Sequence, residues 1–357
     1  MNNKLTDLIY GRYAANDESF RPHHGASQGG EPCLRKQWYS FRHVSKVVFD
    51  GRMLRLFARG HREEQFFVDD LRSIGLDVQN VDRAGNQFRL VCPDNKHIGG
   101  SCDGYFRAGF DIDVIPRGTI GLCEFKTFNA KSFKKLVDAQ SVADVKPLHY
   151  AQMQLYMGWS KLGWCIYLAV CKDNDELYCE IVRFNQSDFM YHENNMIRVV
   201  AANEPPERIT ENKSDFSCRY CDRSDVCWEE QFTLNISCRT CVYAMAANDG
   251  SWRCQHEAGD PIIGDLGHET TKGCDNHLII PALLAKVATP IGSDVETNSI
   301  TYETRQGNHF ANARAGGFTS WELAKIISVN PSLLDAGSLV AIKAAFDAEI
   351  KDVQGAA

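Results

Sequence analysis

The chain has no run of about 18 uncharged apolar residues, the length that a membrane-crossing helix needs. Its opening, Met1-Asn2-Asn3-Lys4, lacks the apolar stretch of a secretory signal. A soluble, cytoplasmic protein without membrane contact is expected. Absent too are a Gly-Lys-Ser/Thr phosphate loop, a flavin or nicotinamide motif and any internal repeat, which speaks against an ATP-driven motor, a redox enzyme and a solenoid. Nor is there a cationic excess. The formal net charge is -7, so the chain is not one that coats nucleic acid non-specifically, since phosphate affinity comes mainly from lysine and arginine.

With 357 residues, 44% of them apolar, the sequence has material for one large domain and a smaller one. Its 14 cysteines make a poor disulfide scaffold. Several sit in apolar strand-like runs, and others fall into the spacings of metal ligands.

The stretch Gly121-Leu122-Cys123-Glu124-Phe125-Lys126 reads as a buried strand. On a strand, residues two apart share a face, so Glu124 and Lys126 project side by side. A carboxylate there can hold a hard divalent cation, and the ammonium can orient a water for attack on phosphorus. Upstream, Ile98 to Phe106 reads as a second strand carrying Asp103, and Gly109, Pro116 and Gly118 mark the turns of a hairpin that brings Asp103 toward Glu124. His61 and Glu64 lie three apart on a helical face. Pro147 opens a helix with Gln152 and Tyr156 on one side. Two basic strips, Arg52/Arg55/Arg59/Arg62 and Lys131/Lys134/Lys135, are candidates for holding a phosphate backbone or are solvated helix faces.

Taken in order, His61, Asp103, Glu124-x-Lys126 and Gln152-x-x-x-Tyr156 resemble the PD-(D/E)xK nucleases in their RecB-like branch, over about residues 30 to 230. The first motif departs from the family's Pro-Asp pair, reading Gly-Ser-Cys-Asp. The resemblance implies an α/β fold with a mixed central sheet flanked by helices, a restriction-endonuclease-like core. It also implies hydrolysis of DNA phosphodiesters with Mg2+ or Mn2+. Asp103, Glu124 and Lys126 become the catalytic set with Gln152 and Tyr156 positioning site or DNA, and His61, Asp103 and Glu124 the metal ligands.

The thiols Cys218, Cys221 and Cys227 form a three-ligand array that needs a fourth, for which Cys33 is the candidate. One cysteine before the core and three after it resemble the iron–sulfur members of this branch, among them the CRISPR-adaptation exonucleases, and imply a [4Fe-4S] cluster stapling the chain across the nuclease core. Zinc on the same four thiolates is the alternative. A second set, Cys238, Cys241, Cys254 and Cys274, reads as a structural Zn2+ site, with His256, His268 or His277 as substitutes.

The expected organisation is a flexible lead-in at 1–30, the nuclease core with its staple at 31–230, a small Cys-rich zinc module at 231–285 and a helical tail at 286–357. The expected function is a DNA exonuclease of recombination or repair, of phage or mobile-element type. It would act on single-stranded DNA or free ends, with a recombination protein as partner. A non-catalytic DNA-binding subunit that keeps fold and cluster is the alternative, and such a subunit would be expected to have lost Asp103, Glu124 or Lys126.

Overall fold

The structure, a computed structural model, describes residues 4–15, 21–256 and 269–335. The end of the expected helical tail, from residue 336 on, and His268 lie outside them. The chain forms two compact units that interleave in sequence: residues 1–31 with 48–198, and residues 32–47 with 199–357. This division replaces the boundaries at 30, 230 and 285. Among the described residues no helix is long and apolar enough to cross a membrane.

In chain order the elements run α1 (Lys4–Ala14), β1 (His24–Gly25), α2 (Leu34–Phe41), α3 (Gly51–Ser73), β2 (Asp77–Gln79), β3 (Arg89–Val91), β4 (Ile98–Ser101), β5 (Gly104–Arg107) and β6 (Ile120–Phe128). There follow α4 (Ala130–Ala139), α5 (Val142–Val145), α6 (Pro147–Ser160), β7 (Trp164–Cys171), β8 (Leu177–Arg183) and α7 (Gln186–Ala201). In the first unit five strands form a mixed sheet in the order β2-β5-β6-β7-β8. Only β6 and β7 run parallel, with Glu124 beside Tyr167 and Lys126 beside Ala169. The crossover between them is α4 to α6, as a parallel pair requires.

Helices cover both faces. Helix α3 starts where the Asp50 side chain accepts the amide of Met53 at 2.7 Å. It lays Phe67, Val68 and Leu71 on the face that carries Cys123, Phe125, Ile166 and Leu168. Helix α6, opened by Pro147, lies on the other face. The mixed sheet flanked by helices is therefore as expected. The lead-in is not without structure: α1 packs on α3, and His24, Gly25 and Ala26 are buried, with β1 paired to β4. Gly51 makes the α1 contact close, since a Cβ there would lie 1.9 Å from the carbonyl oxygen of Tyr10.

The second unit adds α8 (Phe216–Arg219), α9 (Ser224–Trp228), β9 (Ala244–Ala246), β10 (Trp252–Cys254), α10 (Pro281–Leu284), β11 (Ala288–Asp294), β12 (Ser299–Thr304), β13 (His309–Ala313) and α11 (Ser320–Val329). Strands β11 to β13 form an antiparallel sheet within the stretch expected as a helical tail. One apolar core joins Trp38 of α2, Val226, Phe232, Leu278, Leu284, Tyr302, Phe318 and Ile327. The residues expected as a self-standing zinc module and a separate tail thus share a core, and the Cys-rich segment does not fold apart from it.

Candidate active site

Period-two alternation on β6 sends Cys123 and Phe125 into the core under α3, where Phe125 stacks on Phe67 with ring centroids 5.0 Å apart. Glu124 and Lys126 face the opposite way. Glu124 is 1% exposed. Its Oε1 accepts from the Lys126 ammonium, and its Oε2 from Gln152 Nε2 of α6 at 3.3 Å. Lys126 also donates to the Phe125 carbonyl at 3.1 Å.

Asp103 does not sit within a strand, as the sequence suggested, but in the break between β4 and β5, which belong to different sheets. The break lets its carboxylate turn back onto the E-x-K strand, where Oδ2 accepts the Phe125 amide at 2.7 Å. Asp103 is thereby held on the peptide between Glu124 and Lys126. Tyr156, one turn after Gln152 on α6, donates to the Ser101 carbonyl at 2.9 Å. Gly100 makes room for it, because a Cβ there would come within 2.3 Å of the tyrosine hydroxyl. The two α6 side chains thus steady Glu124 and the strand that delivers Asp103.

The α3 pair differs from expectation. His61 is largely exposed and its Nδ1 lies 3.0 Å from Glu64 Oε1, while Gln87 Nε2 donates to Glu64 Oε2 at 3.3 Å. Glu64 interacts electrostatically with Asp103 and Lys126 as well as with His61, and both side chains of the pair line the cavity described below.

The charges are strongly coupled. Burial pushes Glu124 up to about 7, with Lys126 opposing and Asp103 adding to the rise. Glu64 is raised by burial and Asp103, against the pull of His61. Burial would lower Lys126, but Glu124, Asp103 and Glu64 outweigh it and hold the ammonium charged. Behind the site, burial and the charges of Lys126 and Lys146 push His149 down to about 3, leaving a neutral ring whose Nδ1 lies 3.0 Å from the Tyr167 hydroxyl.

Against this constellation lies a cavity of about 450 Å3, walled by α3 from Leu56 to Phe67, by Phe125 to Thr127 of β6 and by Lys172. Arg59 of the first basic strip reaches the carbonyl of Lys172 at 3.2 Å, whereas Lys134 of the second is paired with Asp138 at 2.7 Å. Sequence reasoning missed Phe57, Gln87 and Lys172. A stripe at helical spacing through Phe57, His61 and Glu64 carried the signal for the first.

Among the described residues no three His, Cys, Asp or Glu side chains are gathered closely enough to hold a metal ion as they stand. The donor chemistry of the acidic site nevertheless suits a hard divalent cation. Three carboxylates share one lysine, two of them pushed up partly by Asp103, and a cation would relieve that repulsion.

The two thiol sets both lie in the second unit. Cys33, at the N-cap of α2, interacts electrostatically with Cys218 and Cys221, and Cys218 with Cys227. A group held there would tie residues 32–47 to α8 and α9 within that unit, the chain segments that flank residues 48–198. In the other set Cys241 forms a bridge to Ile279 and its sulfur accepts the amides of Tyr243 and Leu278. Cys254 lies opposite Ala244, and the Cys238 amide bonds the Lys272 carbonyl at 3.1 Å, two residues from Cys274. Burial and the neighbouring thiols push Cys238 up to about 12. All-thiol donor sets suit a thiophilic metal. His277 is no substitute, since its ring nitrogens lie 2.8 Å from Ser320 Oγ and 2.9 Å from the Ser237 carbonyl.

No family model matches this chain, and no curated protein matches it. Among solved structures it is loosely similar to an alkaline exonuclease (LHK-Exo) from Laribacter hongkongensis, at 15% identity and a TM-score of 0.37 over 55% of this chain and 91% of that one. LHK-Exo in complex with dAMP gives 15% identity and a TM-score of 0.38, with the same coverage. SSO0001 gives 11% and 0.39, over 64% of this chain and 98% of that one.

Proposed function

We propose that the first unit is a metal-dependent DNA nuclease, working as an exonuclease in recombination or repair. The observation that carries this reading is the hydrogen bond from the Phe125 amide to Asp103. It sets the carboxylate from the break between β4 and β5 on the peptide between Glu124 and Lys126, with Glu64 in electrostatic reach.

Asp103, Glu124 and Glu64 would hold Mg2+ or Mn2+, which when bound polarises a phosphoryl oxygen and acidifies a water. Lys126 keeps a full positive charge beside these carboxylates, so it can donate to a phosphoryl oxygen as negative charge develops there. Gln152 fixes the Glu124 carboxylate and Tyr156 fixes the approach to Asp103. His61 orients Glu64. In the second unit Cys33, Cys218, Cys221 and Cys227 would carry the iron–sulfur cluster, and Cys238, Cys241, Cys254 and Cys274 a structural zinc.

The test uses end-labelled single- and double-stranded DNA with Mg2+, with Mn2+ and with chelator. Wild type should shorten the DNA only with metal. Asp103→Ala, Glu124→Ala and Lys126→Ala should each lose about 100-fold or more, the scale of removing a group that stabilises transition-state charge. Full activity in Glu124→Ala would overturn the reading.

A further inference from the structure

The cavity beside the catalytic residues has one wall that the proposed chemistry does not use. Phe57 is 44% exposed, and Phe49, 39% exposed, sets its ring edge-on against it with centroids 5.2 Å apart and an interplanar angle of 84°. A surface in water gains nothing by presenting two phenylalanines, and Phe57 is not loose, because Phe49 braces it while its ring lines the cavity. One turn further on stands Gly60. A glycine inside a 23-residue helix weakens that helix. Packing does not demand it, since a Cβ built at Gly60 meets nothing within 4 Å. The space it leaves open is the cavity, which Gly60 also lines.

We propose that Phe57 and Gly60 form a nucleotide subsite of the candidate nuclease: the Phe57 ring stacks on an unpaired terminal base, and the bare backbone at Gly60 lets the sugar–phosphate chain lie against α3. This rests on the nuclease reading for the identity of the ligand. The charges agree with it. Lys126 and Lys172 line the same cavity, so the apolar wall for a base and cations for a phosphate occur together. From Phe57 to Glu64 the helix advances about 10 Å, the reach of one nucleotide. The cavity of about 450 Å3 lies within the range of small-ligand clefts. A base still in its pair must be unpaired before it can leave its partner and enter the cavity, which costs free energy, so the subsite favours single strands or frayed ends.

The full chain would be titrated into a short single-stranded oligonucleotide carrying a terminal 2-aminopurine, with Ca2+ in place of Mg2+. Stacking on Phe57 should change the probe's fluorescence on binding. Phe57→Ala should lose that change and bind about 5- to 100-fold more weakly, the range supplied by base–aromatic stacking, and Phe57→Trp should keep both. Gly60→Ala separates a binding role from a structural one. It should raise Tm, because alanine suits the helix, and at the same time weaken binding.

Wild-type affinity in Phe57→Ala, an unresponsive probe on wild type, or a Gly60→Ala variant with raised Tm and unchanged affinity would each overturn the subsite. The nuclease reading fails separately. Phe57-dependent probe binding by a chain that cuts no DNA leaves the subsite standing without the nuclease, and cleavage with Phe57-independent binding leaves the nuclease without the subsite.

Discussion

Acid should loosen the first unit through His149, and the size of the effect follows from its surroundings. The ring faces Phe128 with centroids 6.0 Å apart, its Nδ1 lies 3.0 Å from the Tyr167 hydroxyl, and burial with Lys126 and Lys146 pushes it from its ordinary 6.5 down to about 3. The folded chain therefore binds a proton at this ring less readily than the unfolded chain. A depressed value contributes stability that is whole above 6.5 and is lost as pH falls toward 3. At about 1.4 kcal/mol per pH unit, the loss at pH 5 is about 2 kcal/mol. In His149→Phe this titration disappears, but so does the contact with Tyr167, which costs about 1 kcal/mol at neutral pH. Urea unfolding at pH 7.5 and pH 5 should give curves that cross: the variant is less stable than wild type by about 1 kcal/mol at the higher pH and more stable by about 1 kcal/mol at the lower. A constant difference at the two pH values would refute the account of His149.

Gly51→Ala should drive α1 off α3, since its new methyl would meet the Tyr10 carbonyl oxygen. A stability loss of about 1–3 kcal/mol and early proteolytic cutting within the first 30 residues are expected, and a wild-type digestion pattern would count against the contact. Elemental analysis separates the two thiol sets. Cys218→Ser should lose iron and the absorption toward blue wavelengths while keeping zinc, and Cys274→Ser should lose zinc and keep iron. Equal metal in both variants and wild type would remove both assignments.

Elements with a strong local period were legible in the sequence. The E-x-K strand and the helix opened by Pro147 stand as read, because the alternation of the one and the proline start of the other mark them without help from distant residues. The position of Asp103 was harder. A continuous strand fits its neighbours, and only the bond to the Phe125 amide, 22 residues away, explains the break. The weight placed on His61 rather than Glu64 has a similar cause: both share a helix face, and their order in the site is decided by Gln87, Asp103 and Lys126. Strands β11 to β13 escaped notice because β11 is exposed along most of its length, and the stacked Tyr302 and Phe310 of its neighbours meet only after pairing. That residues 32–47 belong with 199–357 was signalled only by Cys33 as the candidate partner of Cys218, Cys221 and Cys227.

That interleaving bears on how the molecule is made. During synthesis the α2 segment leaves the ribosome early, yet the rest of its apolar core, Val199 to Leu334, follows about 160 or more residues later. At about 5–20 residues per second the gap lasts on the order of ten seconds or longer. Through that interval Trp38 and Tyr39 have no native core to enter, although the last strand of the first unit's sheet is made before that core arrives. Until then the apolar side of α2 stays uncovered by its native partners. Cutting the chain cleanly between residues 198 and 199 would strand the same helix on the wrong fragment.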